Sequence, residues 1–153
     1  MKKDNNELIE KIGVFFEKIG FQPAAGRIIS LLFISDPPYK TFDEIQQSLG
    51  LSKGAVSNAL NLLITREWID YKTMSGDRKR YFQIKIQSVF EYFRKRFEWQ
   101  TQFRQMLKDV IDVRSKTYPE YNKGLDELCE FLDFIDNEIK AAIEKWQVMK
   151  NKD

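Results

Sequence analysis

Residues 41–80 constrain the fold more than any other part of this chain. They read T-F-D-E-I-Q-Q-S-L-G-L-S-K-G-A-V-S-N-A-L-N-L-L-I-T-R-E-W-I-D-Y-K-T-M-S-G-D-R-K-R. Thr41-Phe-Asp-Glu44 is a capping box that opens a short helix with Ile45 and Leu49 inward. Gly50 stands where a helix ends in the left-handed conformation. Ser52 then caps a second helix. Trp68–Thr73 and Lys79–Ile86 read as two strands of a hairpin, turned by Met74-Ser-Gly-Asp77. Helix, tight turn, helix and basic hairpin, in that order, are what a helix-turn-helix with a wing requires.

The second of these helices has two unlike sides. Val56, Ala59, Leu60, Leu63 and Ile64 line one. Lys53, Gly54, Ser57, Asn58, Asn61 and Thr65 line the other, which is small, polar and almost uncharged. An ordinary solvent face carries Glu and Lys. Major-groove readout instead wants short side chains that donate and accept hydrogen bonds, as Asn does to adenine and Ser to several base edges. Ser57, Asn58 and Asn61 meet that need. Gly54 permits close approach to a backbone, and Ser52 with the free amides of the first turn suits a phosphate. A plain polar surface helix is the blander reading, and the flanking elements weigh against it.

In the hairpin, Lys72, Arg78, Lys79 and Arg80 place cations where they can reach phosphates or a minor groove, with Gly76 at the tip. A solvated charged loop is the usual meaning of such a run. Charge distribution favours the first reading. Residues 52–80 carry six basic and three acidic side chains and residues 81–116 eight and four, whereas residues 117–153 carry five and nine. The acidic end does not look like a nucleic-acid surface.

Around this core the sequence predicts further helices at Glu7–Ile19 and from Pro23 to the Asp36-Pro37-Pro38 stop, then two long ones at about 88–115 and about 119–149. In the last, Leu125, Leu128, Leu132, Ile135, Ile139, Ala142, Trp146 and Met149 recur at alternating steps of three and four. Such a stripe calls for a partner helix. The expected architecture is mostly α with a small β-hairpin. Residues 1–22 form an N-terminal helix in a dimer arm, 23–87 a winged helix-turn-helix, and 88–153 a helical dimerisation region.

Other chemistry is limited. The chain has no histidine and one cysteine, Cys129. That removes Cys/His zinc sites, Ser-His-Asp and Cys-His catalysis and an internal disulfide. No catalytic set can be assembled, so the chain is read as no enzyme, with no cofactor and no metal. Its longest dense apolar run is far short of the roughly 20 residues a bilayer needs, and no secretory signal is visible, which favours the cytoplasm. Asp126, Glu127, Glu130, Asp133 and Asp136 read as a solvated face beside the heptad stripe, and Cys129 as structural. Phe90, Phe93, Phe97 and Phe103, with Phe15, Phe16 and Phe21, read chiefly as core and dimer seam. An aromatic-walled cavity for an apolar or cationic effector is the alternative.

Gly26-Arg-Ile, Ser35-Asp-Pro-Pro38, Ser52-Lys-Gly-Ala-Val-Ser57 and Gly76-Asp-Arg-Lys-Arg-Tyr81 together resemble the GbsR branch of the MarR-type winged-helix regulators, over roughly residues 10–90. The resemblance implies a homodimer that represses or modulates transcription at a pseudo-palindromic operator in double-stranded DNA. It implies Ser52, Lys53, Gly54 and Ser57 at the recognition helix and Arg78 and Arg80 in the wing. Asn58 and Asn61 fall where members vary, which makes them candidates for operator choice. Some members sense choline-like compounds, which leaves room for a small-molecule effector without naming its residues. A winged-helix protein-interaction module without DNA binding is the rival reading. It would more often show Leu, Phe or acidic residues on the outer face of the second helix.

Overall fold

A computed structural model describes residues 3–150; the remaining residues of the expected terminal regions lie outside it. The elements are α1 (Lys3–Lys18), α2 (Pro23–Ile34), β1 (Lys40–Thr41), α3 (Phe42–Leu49), α4 (Lys53–Thr65), β2 (Ile69–Thr73), β3 (Arg80–Ile84), α5 (Ile86–Val113) and α6 (Pro119–Lys150). The chain divides into two compact units between Val89 and Phe90.

The first unit is organised around α2, whose Ala25, Gly26, Ile28, Ile29, Ser30, Leu31 and Leu32 are all buried. Ile45 from α3, Val56 and Leu63 from α4 and Ile69 from β2 complete a core with essentially no solvent contact. Close packing of that kind supplies most of the stability of a small domain. α1 lies across α2. Ile9 and Phe16 are buried there, and Arg27 on α2 reaches Glu10 and Glu17 of α1, at 2.7 Å in each case. The rings of Phe16, Phe21 and Trp68 meet edge-on, with centroids 4.8 to 5.5 Å apart. Phe16 and Phe21 therefore belong to the core of this unit.

Local signals held where their chemistry is short-range. Thr41 Oγ1 accepts from the Glu44 backbone N–H at 3.3 Å, and Glu44 Oε2 accepts from the Thr41 N–H at 2.7 Å, closing the capping box. Gly50 is left-handed at φ 62°. Ser52 Oγ accepts from the Ala55 N–H at 3.2 Å. The hairpin has a third strand that the sequence did not announce. β1 pairs antiparallel with β3, Lys40 opposite Phe82 and Thr41 opposite Tyr81, so the sheet runs β1-β3-β2. A two-residue strand has no period for a pattern to show.

In the second unit α5 and α6 are joined through residues 114–118 and held by polar bridges. Asp136 accepts from the Thr101 hydroxyl at 2.6 Å and pairs with Lys140 at 2.7 Å. Asp133 accepts from Arg104 and lies 3.4 Å from Lys108. Asp133 and Asp136 are thus not a solvated face, as the sequence suggested. Asp136 is only 6% exposed, and the Thr101 hydroxyl and the Lys140 ammonium satisfy it there. Cys129 is buried.

The heptad stripe is split. Leu125, Leu132, Ile135 and Ile139 are half-buried, while Leu128, Ala142, Trp146 and Met149 stay exposed. Phe131 and Phe134, outside the stripe, are also exposed.

Candidate nucleic-acid interface

The outer face of α4 is open along its length. Ser52, Lys53, Gly54, Ser57, Asn58 and Asn61 are all exposed. Val56, Ala59, Leu60 and Leu63 are buried on the opposite side. Gly54, Ser57, Asn58 and Asn61 follow each other at helical steps of three, one and three, so they form one stripe. A methyl group on Gly54 would meet nothing within 4 Å. The hydroxyl of Ser52 is already used as the helix cap, and its place at the N-terminus leaves first-turn amides facing outward.

The four cations of the wing take up different places. Lys72 sits in β2 and faces Tyr81 across the ladder. Arg78 and Lys79 lie in the turn, and Arg80 opens β3 opposite Thr73. All four are exposed. No carboxylate among the described residues lies within ion-pair distance of Lys53, Lys72, Arg78, Lys79 or Arg80. Elsewhere, arginines are committed: Arg27, Arg94 and Arg104 each hold carboxylates. The cations of this region are therefore not held in direct ion pairs.

Several residues of the wing were not marked by sequence reasoning. Lys72 Nζ lies 4.0 Å over the Tyr39 ring, and the Arg80 guanidinium 4.5 Å over the Tyr71 ring. Tyr39 and Tyr81 meet edge-on at 5.5 Å. Asp77 closes the tip: its Oδ1 accepts from the Lys79 N–H at 2.9 Å and its Oδ2 from the Tyr81 hydroxyl at 2.6 Å. That hydroxyl, helped by the Lys79 amide, holds the Asp77 carboxyl below the usual carboxylate range, and the same bond raises the Tyr81 phenol. Alternation along β3 was the available signal. Tyr81 alternates with Arg80 and Phe82 along the strand, and Asp77 precedes a basic run.

No helix among the described residues is long and apolar enough to cross a membrane. No cluster of His, Cys, Asp or Glu suited to a metal occurs among them.

Residues 19–80 match the MarR family. The chain is 25% identical over 154 residues to the HTH-type transcriptional regulator MmpR5 of Mycobacterium tuberculosis, an alignment covering 98% of this chain and 91% of that protein. A crystal structure of a transcriptional regulator shares the fold, with a TM-score of 0.62 at 23% identity over 94% of this chain and 98% of that one. A weaker likeness, TM-score 0.45 and 18% identity over 85% of this chain and 91% of the other, is to MepR, a transcription regulator of the Staphylococcus aureus multidrug efflux pump MepA. With the open stripe of α4 beside a basic wing, residues 19–80 form a winged helix-turn-helix that is similar to the MarR family of transcription regulators.

Proposed function

We propose that the chain acts as a homodimeric repressor of the GbsR branch in the cytoplasm, reading a pseudo-palindromic operator with two copies of α4. The observation that carries this reading is the exposed, uncharged stripe Gly54, Ser57, Asn58 and Asn61, set against a wing whose cations have no carboxylate within ion-pair distance among the described residues. Ser57, Asn58 and Asn61 read base edges in the major groove. Lys53, Lys72, Arg78, Lys79 and Arg80 engage phosphates, and Ser52 with the first-turn amides seats one more. The Ser52–Ser57 and Gly76–Tyr81 segments support the branch.

Residues 1–22 and 88–153 supply the dimer contacts. The apolar side chains left open on α1 (Leu8, Val14, Phe15) and on α6 (Phe131, Phe134, Trp146) favour this over a monomer. A small-molecule effector then acts by changing the separation of the two reading helices. An interaction module is not favoured, because the outer face of α4 carries neither large apolar nor acidic residues.

Selection of duplexes from a random pool by the purified protein tests this. The retained sequences should share an inverted repeat whose half-sites lie about 34 Å, or one helical turn, apart. Light scattering should give roughly twice the 18.2 kDa of one chain. Failure to retain any duplex at low ionic strength overturns the proposal.

A further inference from the structure

The wing tip contains an acid where a polyanion should prefer none. Asp77 follows Gly76 (φ 80°) and precedes Arg78-Lys79-Arg80. A loose carboxylate there would repel the phosphates its neighbours attract. It is not loose. The Asp77 N–H donates to the Met74 carbonyl at 3.0 Å, closing the turn. Its two carboxylate oxygens accept from the Lys79 amide and the Tyr81 hydroxyl, at 2.9 and 2.6 Å. Tyr81 leads inward to Tyr39, and the Tyr39 ring carries Lys72 on its face at 4.0 Å. A continuous path of contacts therefore runs from the tip, through Tyr81 and Tyr39, to Lys72 on β2. It includes one acid, two phenols and one ammonium.

The path is specific to one side of the hairpin. Tyr81 pairs with Lys72 on β2 and with Thr41 on β1, so it occupies the central strand with neighbours on both flanks. Arg80 belongs to the other side, over Tyr71, whose ring rests against Phe82 at 6.0 Å. A cation above an aromatic face keeps its full charge while losing freedom to wander. Pre-ordering of that kind lowers the entropy lost when a side chain meets its ligand.

We propose that Tyr81 and Tyr39 are positioning residues of the wing: the Tyr81 hydroxyl ties back the Asp77 carboxylate so that the tip presents cations alone, and the Tyr39 ring fixes Lys72 toward a phosphate. This rests on the DNA-binding reading above. Neither tyrosine touches the nucleic acid. Each acts through the charged group it holds.

The test uses the full chain and a mixed-sequence 30-base-pair duplex, because the contacts concerned are to the backbone. Tyr81→Phe removes one hydroxyl and keeps the ring on Tyr39. It should weaken binding about three-fold or more at low salt, with the gap closing as salt screens the freed carboxylate. Adding Asp77→Asn to Tyr81→Phe should restore most of that loss, since the offending charge is gone. Tyr39→Leu should weaken binding, yet cost nothing further in a Lys72→Ala background. Alkaline titration gives an independent readout: the Tyr81 phenol, raised by its bond to Asp77, should ionise at lower pH in Asp77→Asn than in the wild type. Equal binding by wild type and Tyr81→Phe overturns the proposal, as does a double variant no better than Tyr81→Phe alone. A wild-type protein that ignores the duplex defeats the DNA-binding reading itself, a result distinct from either.

Discussion

Replacing Gly26 with alanine should weaken this protein, against the usual gain from alanine in a helix. Gly26 lies inside α2 at the crossing with α1. A Cβ there would sit 2.9 Å from the Gly13 carbonyl oxygen and 3.3 Å from Phe16 Cβ. The first neighbour is backbone, and the second is fixed by a buried ring, so neither moves without shifting α1. Helix propensity alone would favour alanine by about 1 kcal/mol. Forcing one methyl group into a closed contact costs about 1–3 kcal/mol. The net expectation is a loss of up to about 2 kcal/mol, or up to several degrees in Tm for a unit of this size. Urea unfolding followed by circular dichroism, at one protein concentration, measures it. Gly124→Ala is the control: it lies in α6 with nothing within 4 Å, and should gain up to about 1 kcal/mol. A Gly26→Ala protein that gains as much as Gly124→Ala would refute a backbone-to-backbone crossing of α1 and α2.

Three further expectations concern binding and acid. Asn58→Ala and Asn61→Ala should relax sequence preference, losing about 1–3 kcal/mol at each contacted base pair; equal loss on every duplex refutes base readout. Arg80→Ala should weaken all sequences alike and flatten the salt dependence by about one unit of slope, which a titration across salt concentrations checks. The capping box makes stability pH-dependent. Thr41, through its backbone N–H and then its hydroxyl, holds the Glu44 carboxyl below its ordinary value. Its contribution is therefore present above the unfolded pKa and lost as pH falls through the lower folded one. Glu44→Gln should narrow the difference in urea midpoint between neutral and strongly acid solution.

What the sequence disclosed follows the range of the forces involved. Thr41 with Glu44, Gly50 and Ser52 act over three or four residues, so their motifs were legible and the structure has them as read. The two faces of α4 were legible too, because burial follows the helical period. β1 was not, since its pairing depends on residues forty positions away. Neither was the Asp77–Tyr81–Tyr39–Lys72 path, which needs β1 and β3 side by side before Tyr39 can approach Tyr81. On α6 a regular apolar period suggested one continuous seam. Contact with α5 instead draws in Cys129 and Asp136 and leaves Leu128, Trp146 and Met149 outside. Asp136 sits there only because Thr101 and Lys140 satisfy it, and partners on another helix are invisible to a period.

The residues of α4 that hold the domain together and those that face outward share no position. If Asn58 and Asn61 read bases as proposed, a change at either redirects the protein to a new set of promoters over generations while the scaffold stays as firm as before. Divergence of target among relatives thus asks for one or two surface exchanges, with no compensating repair underneath.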